Sequence, residues 1–354
     1  MTEKFKIAIV GAASLRGKEL NEALSESAFA NAEFSLMDDE SQLGQLESVG
    51  DEVTFIQRIE PGAFAHEDFV FFTGSEESTR KHWKSALKAG ASIIDMTATL
   101  EGETGVLVRA PWVREALHDS GEVRQDGKTD DPDLSTPAIV PAHPVAVALA
   151  LMLTRLQDLG EIRSASATIL EPASEYGRQA MDELHQQTVG LLSFQTLPKQ
   201  QYDTQVAFNV VPVLGEAAKI NLSASEARIR RHYDLLSAGQ LPPVALQLLH
   251  APVFHGHGIS LAFELDQAVL PEHVQAALST EHMDVILGDT DSPNNLSSAG
   301  QGDIMVRVRT GHGEETESSR FWIWASLDNL KFSAMNSVAC AMELRKLRPL
   351  GKVQ

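Results

Sequence analysis

Along the first half of the chain, short apolar runs with strand character alternate with stretches of helical spacing. Residues 6–10 form an apolar run followed at once by Gly11, and residues 18–27 carry helical periodicity. Residues 34–37 predict a second strand. Residues 68–72 predict a strand apolar on both faces, as in a doubly covered parallel sheet. A helix pattern at 75–89 stops at Gly90, and 92–96 predict the next strand. This alternation predicts an α/β unit with a doubly wound parallel sheet.

Residues 119–137 hold Gly, Asp, Ser and Pro with almost no large apolar side chain, and predict an exposed excursion. A brief strand at 138–140 and an apolar helix at 144–160 follow, with Pro144 suited to the first turn. The texture then changes. Residues 163–170, 205–213, 252–265 and 321–325 predict longer, more alternating strands, with helices at 177–188 and 225–238 between them. This predicts an α+β unit with a largely antiparallel sheet. Residues 289–302 are polar and loop-like, and the final helix, 334–347, is apolar on much of its circumference.

Composition narrows the classes. The 354 residues are enough for about two domains. The net charge of −20 repels phosphate backbones and anionic lipid, so nucleic acid and membrane surfaces are not expected partners. Cys340 is the only cysteine, which excludes an intrachain disulfide and cysteine-based metal clusters. The longest apolar run, 145–153, falls short of the ~20 residues that span a bilayer. No apolar signal segment opens the sequence, and a cytoplasmic protein is expected.

The candidate chemistry begins at the first turn. Gly11-Ala12-Ala13-Ser14-Leu15-Arg16-Gly17 lies between a strand and a helix, the layout of a dinucleotide-binding turn. Ser14 stands where such turns carry their middle glycine, and Arg16 adds positive charge. A plain strand-to-helix turn is the alternative reading. Asp38 ends the second strand, followed by Asp39 and Glu40. An acid there accepts from the ribose 2′-hydroxyl of NAD, and the cluster disfavours the 2′-phosphate of NADP. A solvated acidic turn fits the same residues.

With these motifs placed, the chain resembles the aspartate-semialdehyde dehydrogenase family over nearly its full length, and looks closest to its Usg-type branch. The resemblance is carried by the glycine-rich turn; Gly177-Arg178-Gln179-Ala180-Met181-Asp182-Glu183-Leu184; Ala207-Phe208-Asn209-Val210-Val211-Pro212; Pro252-Val253-Phe254-His255-Gly256-His257; and Ser326-Leu327-Asp328-Asn329-Leu330, with Asn336 following. It implies a Rossmann-type NAD(P)-binding domain over 1–142, completed by a returning C-terminal helix at 330–354. It further implies an α+β dimerisation and catalytic domain over 143–329, and hence a homodimer. The implied cofactor residues are Gly11, Ser14, Leu15, Arg16, Gly17, Asp38, Gly74 and Asn329.

The chemistry implied by the family is attack of a cysteine thiolate on an aldehyde, hydride loss to nicotinamide, and release of the acyl group by phosphate. Here the matching segment is Val140-Pro141-Ala142-His143-Pro144, and His143 falls on the cysteine position. A thiolate adduct collapses to a stable thioester, whereas an imidazole adduct of an aldehyde is a charged hemiaminal that expels imidazole easily. Other positions depart in the same direction. The catalytic histidine matches His257, but the substrate-carboxylate arginine matches His250 and the phosphate-binding arginine matches Glu101. The active-site glutamine matches Glu171, while Glu226 and Arg228 stand for the substrate-binding Glu and Lys.

The expectation is a family member without thiol-dependent dehydrogenase activity, with a small-molecule ligand of unknown identity. NAD binding is admitted, NADP is disfavoured, and no metal is expected. The alternative is altered chemistry using His257 as a base, or His143, His250, His257 and Glu171 converging as metal ligands. His255, two residues before His257, would share its face on an extended strand.

Overall fold

A computed structural model describes residues 4–38, 46–49, 52–119, 131–288, 292–311 and 316–348. The chain divides into two compact units. The first comprises Met1–Trp112, Arg124–Ala142 and Ser333–Gln354; the second comprises Val113–Val123 and His143–Phe332.

In chain order the first unit begins with β1 (Lys6–Val10), α1 (Leu15–Ser25), β2 (Glu33–Asp38), β3 (Leu46–Val49), β4 (Glu52–Phe55), β5 (Gln57–Arg58) and β6 (Phe69–Phe72). It continues with α2 (Glu76–Lys88), β7 (Ser92–Asp95) and β8 (Leu107–Arg109); α3 (Pro111–Asp119) straddles the division, and β9 (Ile139–Pro141) returns to the first unit. Seven of these strands form one sheet in the order β5-β2-β1-β6-β7-β9-β8, with every pairing parallel. Successive side chains leave a strand on opposite faces. Thus Ile7, Ile9, Phe69 and Phe71 pack with Leu20 and Leu24 of α1 and with Val338, Cys340 and Leu344 of the C-terminal helix. Ala8, Val10, Val70 and Phe72 pack on the other side with Trp83 and Ala86 of α2. That double cover is the physical reason for the near-continuous apolar run at 68–72.

The second unit contains α4 (Pro144–Gln157), β10 (Ile162–Glu171), a 3₁₀ turn (Ala173–Tyr176), α5 (Arg178–Leu192), α6 (Leu222–Ser237), β11 (Val244–His250) and β12 (His257–Val269). After these come α7 (Pro271–Leu278), β13 (Met283–Val285), β14 (Ile304–Thr310) and β15 (Ser318–Leu327), and α8 (Asn329–Arg345) leads back into the first unit. The six-stranded sheet runs β11-β10-β12-β15-β14-β13. Its three central pairings are antiparallel and the two edge pairings parallel. Residues 145–153 of α4 are buried on every side, which is why that run shows no polar face. The sequence-based fold class, a Rossmann-type unit plus an α+β unit with a largely antiparallel sheet, is the architecture found.

Several expected elements shift for local reasons. α1 starts at Leu15, because the Ser14 hydroxyl caps it by accepting from Gly17 N–H at 2.9 Å. α8 starts at Asn329, because the Asp328 carboxylate accepts from Leu330 and Lys331 N–H at 2.9 and 3.0 Å. The strand expected at 205–213 is absent. There the Gln187 side-chain oxygen accepts from Val206 and Ala207 N–H, Phe208 adopts φ +55°, and only Val211 bridges to His250. The strand expected from 252 opens only at His257, since Gly256 turns the chain at φ +83°. His255 therefore lies in a turn and does not share a strand face with His257. The apolar pattern predicts none of α3, α7, β3, β4, β5, β8, β11, β13 and β14. Residues 120–130 of the excursion, Asp39 and Glu40 of the acidic cluster, and 289–291 lie outside the described residues.

Candidate active site and dinucleotide turn

The glycine-rich turn is built by close backbone contact. A Cβ on Gly11 would lie 2.3 Å from Gly74 Cα, and one on Gly17 would lie 2.4 Å from the Gly11 carbonyl oxygen. Gly11 also adopts φ +89°, a region that favours glycine. Gly74 belongs to the turn as the neighbour that makes Gly11 obligatory. Ser14 does not intrude as a bulky replacement for the middle glycine. Its hydroxyl accepts from Gly17 N–H and donates to Thr73 C=O at 3.0 Å, tying α1 to the end of β6. The Asp38 carboxylate, at the end of β2, accepts from Ala13 N–H at 3.0 Å and closes the turn from the other side. Leu15 and Arg16 supply the first-turn amides of α1. A cavity of ≈ 750 Å³ opens beside Asp38, lined among others by Arg58, Glu77 and Lys81. A strand-turn-helix with this backbone packing, an acid at the end of β2 and an adjoining cavity fits a dinucleotide. Glu101 lies half-buried in the turn beyond β7, where Asp95 organises the backbone by accepting from Leu100 N–H at 2.8 Å.

In the second unit, three side chains that carry metal-ligand atom types meet. His143 is the N-cap of α4: its Nδ1 accepts from Val145 N–H at 3.2 Å, and its own N–H donates to His232 Nδ1 at 2.8 Å. Glu175 comes from the 3₁₀ turn after β10. That turn is pinned because Ala173 and Ser174 N–H donate to Val253 and Phe254 C=O, just ahead of β12. His257 is the first residue of β12, in register with Leu327 of β15. The rings of His143 and His257 stand edge to face with centres 5.6 Å apart, and His143 Nε2 lies 3.6 Å from Glu175 Oε1. All three residues are buried, and one ligating atom from each lies within 4.8 Å of the others. Burial pushes His257 down to about 4, against the opposing pull of the Glu175 and Asp328 charges, so it is neutral near pH 7. Among the described residues, neither of its ring nitrogens has a hydrogen-bond partner.

Other expected site residues are placed nearby but differently. Arg228 approaches Glu175 to 3.7 Å. Asn329 donates from Nδ2 to Glu175 Oε2 at 3.2 Å, and its Oδ1 accepts from Ser174 Oγ and Gly256 N–H. It is thus a positioning residue of this cluster within the second unit. Glu226 is committed to structure, accepting from Leu248 N–H and pairing with Arg230.

Glu171 and His250 do not join His143 and His257 in the three-residue cluster, which corrects the expected ligand set. They end β10 and β11, paired in register, and face a tyrosine nest instead. Glu171 accepts a short hydrogen bond from the Tyr176 hydroxyl. His250 packs its ring 4.8 Å from that of Tyr202. Burial, reinforced by the Glu175 charge, pushes Glu171 up to about 8, and burial pushes His250 down to about 4. The carboxylate that does reach the histidines, Glu175, lies four residues beyond Glu171. The Pro172 that redirects the chain into a tight turn was the only local signal.

Cys340 is buried in α8, where its Sγ donates to the Arg109 carbonyl at 3.7 Å, and burial pushes its thiol far above the usual range. It is a packed, protonated thiol. Among the described residues, no helix is long and apolar enough to cross a membrane.

Comparison with known proteins follows the same division. The family model for the NAD-binding domain of semialdehyde dehydrogenases matches residues 6–120, and that for the dimerisation domain matches 153–332. A USG-1 protein homolog of Azotobacter vinelandii is 30% identical over 353 residues, covering 98% of this chain and 99% of the relative. An aspartate-semialdehyde dehydrogenase of Rickettsia bellii is 25% identical over 348 residues, covering 98% and 99%. The solved structure of a probable aspartate-semialdehyde dehydrogenase from Pseudomonas aeruginosa superposes with a TM-score of 0.81 at 25% identity, covering 97% of this chain and 99% of that one. With both domain models matched in order and a full-length relative at this identity, the chain belongs to the semialdehyde dehydrogenase family.

Proposed function

We propose that this protein is an aspartate-semialdehyde dehydrogenase-like dimer that binds a dinucleotide but does not run thiol-dependent aldehyde oxidation. One observation carries the reading: the N-cap of α4, which the family resemblance sets against the family's nucleophile, is His143, and the only thiol in the chain is sealed in α8. An imidazole at that place departs from its aldehyde adduct faster than the adduct loses hydride, so no acyl-enzyme accumulates. The pocket chemistry agrees. His250 and Glu101 replace the two anion-binding arginines that the family resemblance calls for, and Glu171 replaces the glutamine. An acidic substrate and inorganic phosphate lose the bidentate cations that would hold them.

The glycine-rich turn supports binding of NAD in preference to NADP, because Asp38 offers a carboxylate where a 2′-phosphate would need a cation. The match of 153–332 to a dimerisation domain supports a homodimer. The test is turnover of aspartate semialdehyde with NAD or NADP and phosphate. The expected rate equals that of a no-enzyme control, and Cys340→Ser leaves it unchanged. A substrate-derived acyl group found on the wild-type chain by intact mass would sink the proposal. Gel filtration at low concentration tests the dimer.

A further inference from the structure

We propose that His143, Glu175 and His257 form a binding site for one divalent transition-metal ion, zinc by preference. The donor set is two imidazoles and one carboxylate, and it is drawn together by the head of α4, the 3₁₀ turn and the start of β12. Three protein ligands on zinc leave a fourth position for water or a small oxygen donor. The inference shares the His143 position with the proposed function but does not depend on the absence of dehydrogenase activity.

The geometry is close to what an ion requires. Zinc–ligand bonds of ~2.1 Å at tetrahedral angles put donor atoms roughly 3.4 Å apart, and two imidazoles sharing the ion have ring centres about 5 Å apart. The His143–Glu175 pair stands at 3.6 Å and the two rings at 5.6 Å. No two of the three atoms stand more than 4.8 Å apart, so the cluster closes by at most about 1.4 Å, within reach of side-chain rotation. His257 is fully buried, and among the described residues neither ring nitrogen is hydrogen-bonded, a desolvation cost that a metal bond would relieve. The carboxylate is already oriented: Asn329 holds Oε2, and Oε1 faces both His143 at 3.6 Å and Arg228 at 3.7 Å.

Two features oppose the ion and make the site recognisable. Arg228, 3.7 Å from Glu175, places a like charge beside it. His143 Nδ1 accepts from Val145 N–H, so ligation through Nε2 moves the ring proton to Nδ1 and breaks that cap bond. Metal binding is therefore coupled to the first turn of α4. This departs from the expectation of no metal, because the carboxylate that completes the set is Glu175.

The experiment uses untagged full-length protein, stripped with chelator and titrated with Zn²⁺, and with Co²⁺ as a spectroscopic probe. The wild type should retain about one Zn²⁺ per chain after desalting and show the intense visible bands of low-coordinate Co²⁺. Glu175→Gln and His257→Asn should weaken binding by about 100-fold or more, whereas His255→Ala should not change it. Arg228→Gln should tighten it, which a purely structural cluster would not predict. Metal-free unfolding curves identify any variant that fails to fold, and Arg228→Gln and His255→Ala then carry the test. A wild type that holds no Zn²⁺ at saturating concentration, or equal binding by the Glu175 and His257 variants, overturns the inference. Neither result touches the dehydrogenase proposal, which acyl trapping decides.

Discussion

The glycine-rich turn of the first unit and the histidine cluster of the second answer to different constraints. In the turn, function and folding use the same atoms. Gly11, Gly17 and Gly74 let three backbone segments touch, and a side chain at Gly11 or Gly17 would collide with main chain at 2.4 Å or less. Such a site keeps its form as long as the unit folds. In the cluster, the scaffold is secondary structure and the chemistry is side chain. α4 opens with Pro144 at its first position, β12 begins at residue 257, and an imidazole occupies the head of α4. A scaffold that specifies position without specifying side-chain chemistry lets reactivity change while the fold stays.

That contrast can be broken most forcefully at Gly11. Gly11→Ala forces a Cβ into Gly74 at an unfavourable φ, and should destabilise the first unit by about 3 kcal/mol or more and abolish nucleotide binding. Thermal unfolding with calorimetry reads both. A folded, NAD-binding Gly11→Ala protein would show that the turn is not obligatory.

The pH dependence of stability gives the next largest effect. Glu171 is held near 8 in the fold, against 4.5 for the ordinary group, so its contribution is fully present below about 4.5 and is lost as pH rises through about 8. His250 is held near 4 against 6.5, so its contribution is present above about 6.5 and is lost as pH falls through about 4. Glu171→Gln should flatten the alkaline fall of the melting temperature, and His250→Asn the acid fall. Parallel profiles for wild type and both variants would contradict the burial argument.

Smaller effects sharpen the comparison. Asp38→Asn should weaken NAD binding and reduce its advantage over NADP, read by calorimetry with both nucleotides. It keeps an oxygen for Ala13 N–H, so the turn should survive. Tight NADP binding by the wild type would contradict the preference assigned to Asp38. The smallest change is His143→Ala, which removes the α4 cap and should cost about 1 kcal/mol in chemical denaturation.

The parallel sheet was readable from the chain because burial on both faces leaves a run such as Phe69–Phe72 with no polar member. The Ser75 cap and the Gly90 stop of α2 were readable because both act within one turn of the chain. The segment at 205–213 has the apolar pattern of a strand because its apolar residues pack inward, but Gln187 rather than a neighbouring strand accepts the Val206 and Ala207 N–H groups. Side-chain satisfaction of that kind has no periodicity.

The sequence by itself determined the two-unit α/β plan, the single cysteine and the imidazole at the head of α4, because composition, apolar period and local caps are properties of neighbouring residues. Only the tertiary structure decided which carboxylate meets the histidines. Glu171 and Glu175 lie on the same short stretch, but one ends a strand against tyrosines and the other turns back through a 3₁₀ turn toward His143 and His257. The choice rests on hydrogen bonds from Ala173 and Ser174 to Val253 and Phe254, far along the chain, and contacts between residues so distant in sequence leave no local trace.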